Sequence, residues 1–564
     1  MGIRADFDVE MKTRDGVILR ADVYRPEIDD PLPAIVLRTP YDKSLAYSRF
    51  DGFGAVFAAR NGYAFVIQDV RGRWASEGEY QPISKIEGPD GYDCIEWLTE
   101  QSWCDGNVGM IGSSYESLVQ FMAAEAQPPG LRAIVPEFSG DARRGSFALD
   151  ATLIAWAAGQ AMDWLAKRAA VGEASAADME VVASVMHDPQ VAARHLPLAD
   201  MPLMKIGDLF SYAEMLEILR SAAGIEFSRI QVPALLVGGW YDIDPAGCAE
   251  IFRGLRTQAA SEVARRDSAV VLGPWQHSMI VESVGEGAFG PSAHGLAMGL
   301  PARLLAFFDR HLRGASGSTV PTATYFVTGS KVWKEAAEWP PSESRWDCLY
   351  LQSSGGANSQ AGDGVLHADA PDSPAVADRF IYDPADPVPG FGGRYFRIGG
   401  SLPGPFDQRR IESRDDVLVY TSESCSAAVE VVGDARLILH ASTSCVDTDF
   451  VVKLCDVAPD GLSHNISDAF LRLRWRDGTD VAKFVEPGQV YEIALGLGPI
   501  AHTFGVGHRL RVQIASSAFP AYDRNMNTGH PEGSDAVGLK AEQSVWHGGD
   551  LLSRLEFQRA PVGS

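Results

Sequence analysis

A serine hydroxyl becomes a nucleophile only when a base takes its proton, and an imidazole serves as that base when a carboxylate orients it. Three segments of this chain offer these groups. Residues 107–117, Asn-Val-Gly-Met-Ile-Gly-Ser-Ser-Tyr-Glu-Ser, read as a strand that passes through a sharp turn into a helix. Ser114 sits in the turn, and Gly112 keeps the crowded position two residues before it small. Ser113 is the rival nucleophile, but Ile111 would then occupy the position that must be small. LLVGGWYD (235–242) ends an apolar strand with Asp242, and VVLGPWQH (270–277) ends the next with His277. Taken singly, these are an N-capping serine and a structural histidine. Together they place a nucleophile, an orienting acid and a base at strand ends. The chemistry implied is cleavage of an ester or amide through an acyl-enzyme.

The elements around them must bring the three strand ends to one edge. PAIVLRTPY (33–41), GYAFVIQDV (62–70), NVGMIG (107–112) and LRAIVPEF (131–138) are short apolar strands. They alternate with helical segments such as GYDCIEWLTEQ (91–101) and SLVQFMAAEAQ (117–127). That rhythm predicts a parallel α/β sheet over residues 1–142. FDVEMKTRDGVILRADVY (7–24) reads as a hairpin about Asp15-Gly16. Residues 143–227 are rich in Ala, Met and Leu, read as helical throughout, and predict an inserted cap over the ligand-binding edge of the sheet. The α/β rhythm resumes over 228–316 and ends with the amphipathic ARLLAFFDRHL (302–312). From 317 to 564 only short alternating or β-branched runs follow, among them ARLILHAST (435–443) and HRLRVQIAS (508–516), which predict an all-β jelly-roll domain. The turn at Ser114 matches the nucleophile elbow of the α/β-hydrolase fold, whose acid and base follow in the order Ser, Asp, His. The GxSxG pattern is incomplete, because Glu116 stands where its second glycine belongs.

Composition narrows the partners. The chain has 564 residues, 49 Lys plus Arg and 74 Asp plus Glu, a net charge of −25. So acidic a surface repels phosphate backbones and anionic lipid, which argues against nucleic acid and membrane. No apolar run reaches the roughly 18 residues of a membrane span, and MGIRADFDVEMKTRDG (1–16) lacks the apolar stretch of a signal peptide. The seven cysteines are scattered, with no CxxC spacing. These features predict a cytoplasmic protein with reduced thiols. The expected chemistry needs no metal and no organic cofactor, and association with further copies of the chain is left open.

TPYDK (39–43), GYAFVIQDVRGRWASEGEY (62–80), WLTEQSWCDGNVGMIGSSY (97–115), GGWYD (238–242) and GPWQHS (273–278) resemble the cocaine esterase family. That family lies within the broader group of X-Pro dipeptidyl peptidases and α-amino-acid ester hydrolases. GPFDQRRIESRDDVLVYTS (404–422), VDTDFVVKLCDVAPDG (446–461) and SSAFPAYDRNMNTG (516–529) carry the resemblance to the end of the chain, with 143–227 the least similar part. It implies a serine esterase with Ser114, Asp242 and His277 as triad, and an oxyanion hole made by the Tyr41 hydroxyl and the Tyr115 backbone N–H. Ser117 departs from the family, which has Gly there. Asp244 stands where cocaine esterase has an aromatic residue. It matches the first of the acidic residues with which amino-ester hydrolases hold a substrate amine, while Pro245 does not match the second. Trp156 and Trp164, eight apart on the cap, are expected to wall the pocket, and Phe406 to reach it from the jelly roll. An X-Pro peptidase, an amino-ester hydrolase and an acyltransferase would use the same triad, and a lectin-like binding module is the non-catalytic reading.

Overall fold

The computed structural model describes residues 2–46, 49, 51–140, 151–206, 211–221, 224–317, 320–395, 402–478 and 481–561. Ten strands form the first sheet: β1 (Ile3–Lys12), β2 (Ile18–Pro26), β3 (Leu32–Thr39), β4 (Ala64–Asp69), β5 (Cys104–Ser113), β6 (Leu131–Glu137), β7 (Leu235–Tyr241), β8 (Ala269–Gln276), β9 (Ala323–Val327) and β10 (Val332–Ala336). Their spatial order is β1-β2-β4-β3-β5-β6-β7-β8-β9-β10. The strands from β4 to β9 in that order run parallel, and the β1–β2 hairpin and β10 add antiparallel edges. Every residue of β3, β4, β7 and β8 is buried, as expected of parallel strands covered on both faces.

Helices Glu87–Thr99, Tyr115–Ala126 and Pro245–Gln258 pack one face through Cys94, Ile95, Phe121, Cys248 and Phe252. Helices Ala55–Arg60 and Leu300–Arg313 pack the other through Ala58, Leu304, Phe307 and Phe308. The second contact is close under the strand that carries Ser114. A Cβ added at Gly109 of β5 would lie 2.6 Å from the Phe308 ring.

Between β6 and β7 the described residues hold helices Ala151–Ala170, Ala176–His187, Pro189–Ala193 and Tyr212–Ser221 and no strand. They have their own core of Ile154, Leu165, Val185, Leu198, Met204 and Leu216. Phe519, from far along the chain, joins that core. Strands from Arg345 to Ala560 build an 11-stranded, almost wholly antiparallel sheet. It curls round one core, since Phe380 and Tyr382 from one end of the strand order share a cluster with Phe450 and Leu454 near the other. The chain is therefore a mixed α/β domain followed by an all-β domain. Strands β9 and β10 lie beyond residue 317, where sequence reading begins the jelly roll, yet they pair in the first sheet. Period-2 alternation marks a strand without saying which sheet it joins.

The all-β domain grips the rest through buried charge. Arg472, 2% exposed at its side chain, pairs with Asp449, Asp523 and Glu532. Tyr212 of the inserted helices donates to Asp523 at 3.0 Å, and Arg220 pairs with Glu532. Arg394 reaches the Trp240 carbonyl in β7 at 3.3 Å. No described helix is long and apolar enough to cross a membrane.

Phe308→Ala empties the space beneath β5 and is expected to cost about 3–5 kcal/mol of stability. Urea unfolding measures it, and a loss below about 1 kcal/mol would show that the helix is not a principal support of the sheet.

Candidate active site

Strand β5 ends at Ser113 and the helix Tyr115–Ala126 begins at once, so Ser114 must turn the chain alone. It does so at φ 62° and ψ −120°, a conformation costing a non-glycine residue about 1–3 kcal/mol. Its neighbours enforce it. The Ser114 N–H donates to the Glu137 carbonyl of β6 at 3.0 Å, and the Ser114 carbonyl accepts from Ser117 N–H at 2.9 Å and Leu118 N–H at 3.2 Å. Gly112 is required by contact, since a Cβ there would lie 2.5 Å from Glu116 Cβ. Ser117 suits its place, being fully buried with its hydroxyl on that of Ser139. The rival Ser113 is engaged elsewhere, its hydroxyl 2.6 Å from that of Ser278.

That contact ties the elbow to the loop carrying the base. Tyr241 of β7 pairs with Gln276 of β8, so Asp242 and His277, the next residues, leave adjacent parallel strands side by side. His277 Nδ1 lies 2.5 Å from Asp242 Oδ1, with the residues 7% and 1% exposed. The same carboxylate oxygen accepts the Ile243 N–H at 2.7 Å, which fixes it in place. With Nδ1 facing the acid, Nε2 is the nitrogen left for chemistry.

Ser114, His277 and Tyr41 line one cavity of about 380 Å³, with Leu37, Phe138, Trp156, Met186 and Ile280 among its apolar walls. Tyr41 is 36% exposed as a residue, but its hydroxyl end is desolvated. Burial pushes its pKa up to about 12, opposed by hydrogen bonds with the Trp156 and Ser114 side chains. The loop is anchored on both sides. Arg73 Nε and Trp74 Nε1 donate to the Pro40 carbonyl at 3.0 and 2.9 Å, and the Lys43 N–H donates to Asp69 at 2.8 Å. Tyr115 begins its helix, where first-turn N–H groups lack intrahelical acceptors. Its side chain is buried, donating to Glu87 at 2.9 Å.

The other expected pocket residues separate. Trp156 lines the cavity, and Trp164 does not. At about 100° per residue an eight-residue step leaves the two side chains roughly 80° apart, and the Trp164 ring is instead covered by the Arg168 guanidinium at 4.1 Å. Asp244 lies outside the lining and caps helix Pro245–Gln258, accepting the Gly247 N–H at 2.8 Å. Phe406 is also outside it, 6% exposed, with its ring centroid 4.7 Å from that of Phe391. Sequence reasoning missed a charged wall of the same cavity made by Arg49, Asp51, Glu116 and Glu137. The available signal was a glutamate at each of two positions, 116 and 137, where an apolar or small residue would be expected. Among the described residues no group of His, Cys, Asp and Glu is arranged to hold a metal.

Residues 15–279 match the X-Pro dipeptidyl-peptidase family (S15), and residues 317–556 match the X-Pro dipeptidyl-peptidase C-terminal non-catalytic domain. The cocaine esterase of Rhodococcus sp. strain MB1 Bresler is 38% identical over 541 residues, spanning 93% of this chain and 92% of that protein. Among solved structures, an aminopeptidase from a marine sediment Thaumarchaeota archaeon superposes with a TM-score of 0.77 at 26% identity, covering 99% of this chain and 97% of that one. An α-amino acid ester hydrolase does so with a TM-score of 0.74 at 25% identity, covering 99% and 96%.

Gly112→Ala forces a methyl group onto Glu116 and is expected to lower kcat by about 10²-fold through displacement of the turn, with a smaller change in KM. Steady-state kinetics on an aryl ester checks it, and unchanged kcat would show that the elbow tolerates a Cβ there.

Proposed function

Because this chain belongs to the cocaine esterase family, with residues 15–279 also matching the X-Pro dipeptidyl-peptidase (S15) family, we propose that it is a serine hydrolase cleaving small carboxylic esters with Ser114, Asp242 and His277 as its triad. The observation that carries this reading is the 2.5 Å contact between His277 Nδ1 and Asp242, at the cavity that also holds the strained Ser114.

Nε2 of His277 takes the Ser114 proton as Oγ attacks the substrate carbonyl. Asp242 keeps the proton on Nδ1 and stabilises the imidazolium that forms. The negative charge arising on the carbonyl oxygen is met by the Tyr41 hydroxyl and the Tyr115 N–H, donors fixed before the reaction begins. His277 then protonates the leaving alcohol, and water repeats the cycle on the acyl-enzyme. The apolar walls, with Trp156 and Phe138, suit an apolar or aromatic acyl or alkoxy group, and the cavity volume suits a small molecule. The helices between β6 and β7 serve as its cap, and because β9 and β10 belong to the first sheet the jelly roll begins after Ala336. A reducing, cytoplasmic setting is supported by the seven free cysteines.

A fluorophosphonate probe should label the parent protein, and Ser114→Ala should abolish both labelling and turnover of aryl esters. Full turnover by that variant would end the proposal. Tyr41→Phe is expected to lower kcat/KM by about 10²–10³-fold. Since the Tyr41 phenol stays protonated below its pKa of about 12, the size of that loss should be constant from pH 6 to 10. A loss that vanished at pH 10 would show that the phenol ionises below that pH, and no loss at any pH would show that the hydroxyl is not the donor.

A further inference from the structure

Glu116 lies two residues past the nucleophile, lines the cavity and is 8% exposed. Its Oε2 accepts the Ser113 N–H at 3.0 Å, so it holds the backbone immediately before Ser114. The Thr39 hydroxyl lies close enough to the same carboxylate to oppose the upward shift that burial gives it. Thr39 Oγ1 in turn accepts the Tyr41 N–H at 3.1 Å. One carboxylate thus reaches both halves of the site, the elbow that bears the nucleophile and the loop that bears the oxyanion donor.

A buried carboxylate can do this only if something offsets its desolvation and holds it in place. Burial pushes the Glu116 carboxyl up, and the Arg49 guanidinium opposes that shift. Arg49, with a side chain 9% exposed, is the hub of the wall. Its Nη2 bonds Asp51 at 2.9 Å and also Glu137, and its Nη1 lies 3.8 Å from Glu116 Oε2. Asp51 is itself fixed by the Phe53 N–H at 2.8 Å. Glu137 belongs to the residue whose carbonyl receives the Ser114 N–H. Arg49 therefore ties the loop after β3 to both residues that hold the elbow.

We propose that Glu116, braced by Arg49, is a positioning residue that sets the nucleophile and the oxyanion donor relative to one another, through the Ser113 amide on one side and the Thr39 hydroxyl on the other. This rests on the reading of Ser114 and Tyr41 given above. It accounts for the glutamate that breaks the GxSxG pattern: the lost glycine is replaced by a side chain that turns back and satisfies the strand end it follows. The brace acts through the backbone and side chains it holds, so its contribution falls on kcat.

Glu116→Leu keeps the bulk and removes the acceptor. With p-nitrophenyl butyrate it should lower kcat by about 10²-fold with KM within about threefold, and slow fluorophosphonate labelling of Ser114 in parallel. Glu116→Gln, whose amide oxygen still accepts, should recover to within about tenfold of the parent. Thr39→Val is nearly isosteric, disturbs no charge and covers the case in which Glu116→Leu does not fold. It should lower kcat by about tenfold in the parent and have no further effect in a Tyr41→Phe background. The inference is overturned if folded Glu116→Leu or Thr39→Val turns over at the parental kcat, if only KM changes, or if Thr39→Val is equally harmful with and without the Tyr41 hydroxyl. Ser114→Ala separates the two failures. If it is inactive while Glu116→Leu and Thr39→Val match the parent, the positioning role alone falls. If it is active, the site itself has been misread.

Discussion

An imidazole can relieve a serine of its proton only when one of its nitrogens is held by an acid and the other faces the hydroxyl. In this chain the first half of that requirement is met by strand register. Tyr241 and Gln276 are partners in adjacent parallel strands, so the residues after them, 35 positions apart in sequence, emerge together and meet at 2.5 Å. The pair is buried, which strengthens its electrostatics and fixes the tautomer. The elbow then has to present Ser114 on the same side of the sheet, and the Ser113–Ser278 hydroxyl contact joins the two chain segments directly.

The rest of the molecule holds this edge still and closes it. Helix Leu300–Arg313 lies beneath β5 so closely that Gly109 cannot carry a side chain. The inserted helices bring Trp156 and Met186 to the cavity. They are held from the all-β domain, through Phe519 in their core and the Tyr212–Asp523 and Arg220–Glu532 contacts. That domain also reaches β7 beside the acid, where Arg394 meets the Trp240 carbonyl. The C-terminal half thus holds elements around a cavity whose lining residues all lie at or before Ile280.

Much of this was legible in the residues because local chemistry dictated it. The strand–turn–helix at Ser114, the apolar strands that end in Asp242 and His277, and the helical stretch between β6 and β7 are written in short patterns. The place of Tyr41 at the cavity was expected only through family resemblance, since nothing local sets a loop tyrosine beside the elbow. What escaped depended on three-dimensional approach. Trp156 and Trp164 were expected to act together, but their helical angles send them to different surroundings. Asp244 makes an N-capping bond to the Gly247 N–H, a use that its place in the sequence does not separate from a substrate contact. Strands β9 and β10 could have joined either sheet. The Arg49 wall collects Asp51, Glu116 and Glu137 from three separated segments, so no spacing rule reveals it.

The central claim is that a covalent bond forms transiently at one hydroxyl. Rapid-quench mass spectrometry of the parent protein mixed with excess aryl ester tests it directly. An acyl adduct should appear within the first turnover, map to the peptide carrying Ser114, and decay at a rate no slower than kcat. Turnover without such an adduct, or an adduct on Ser113 or another residue, would contradict the account.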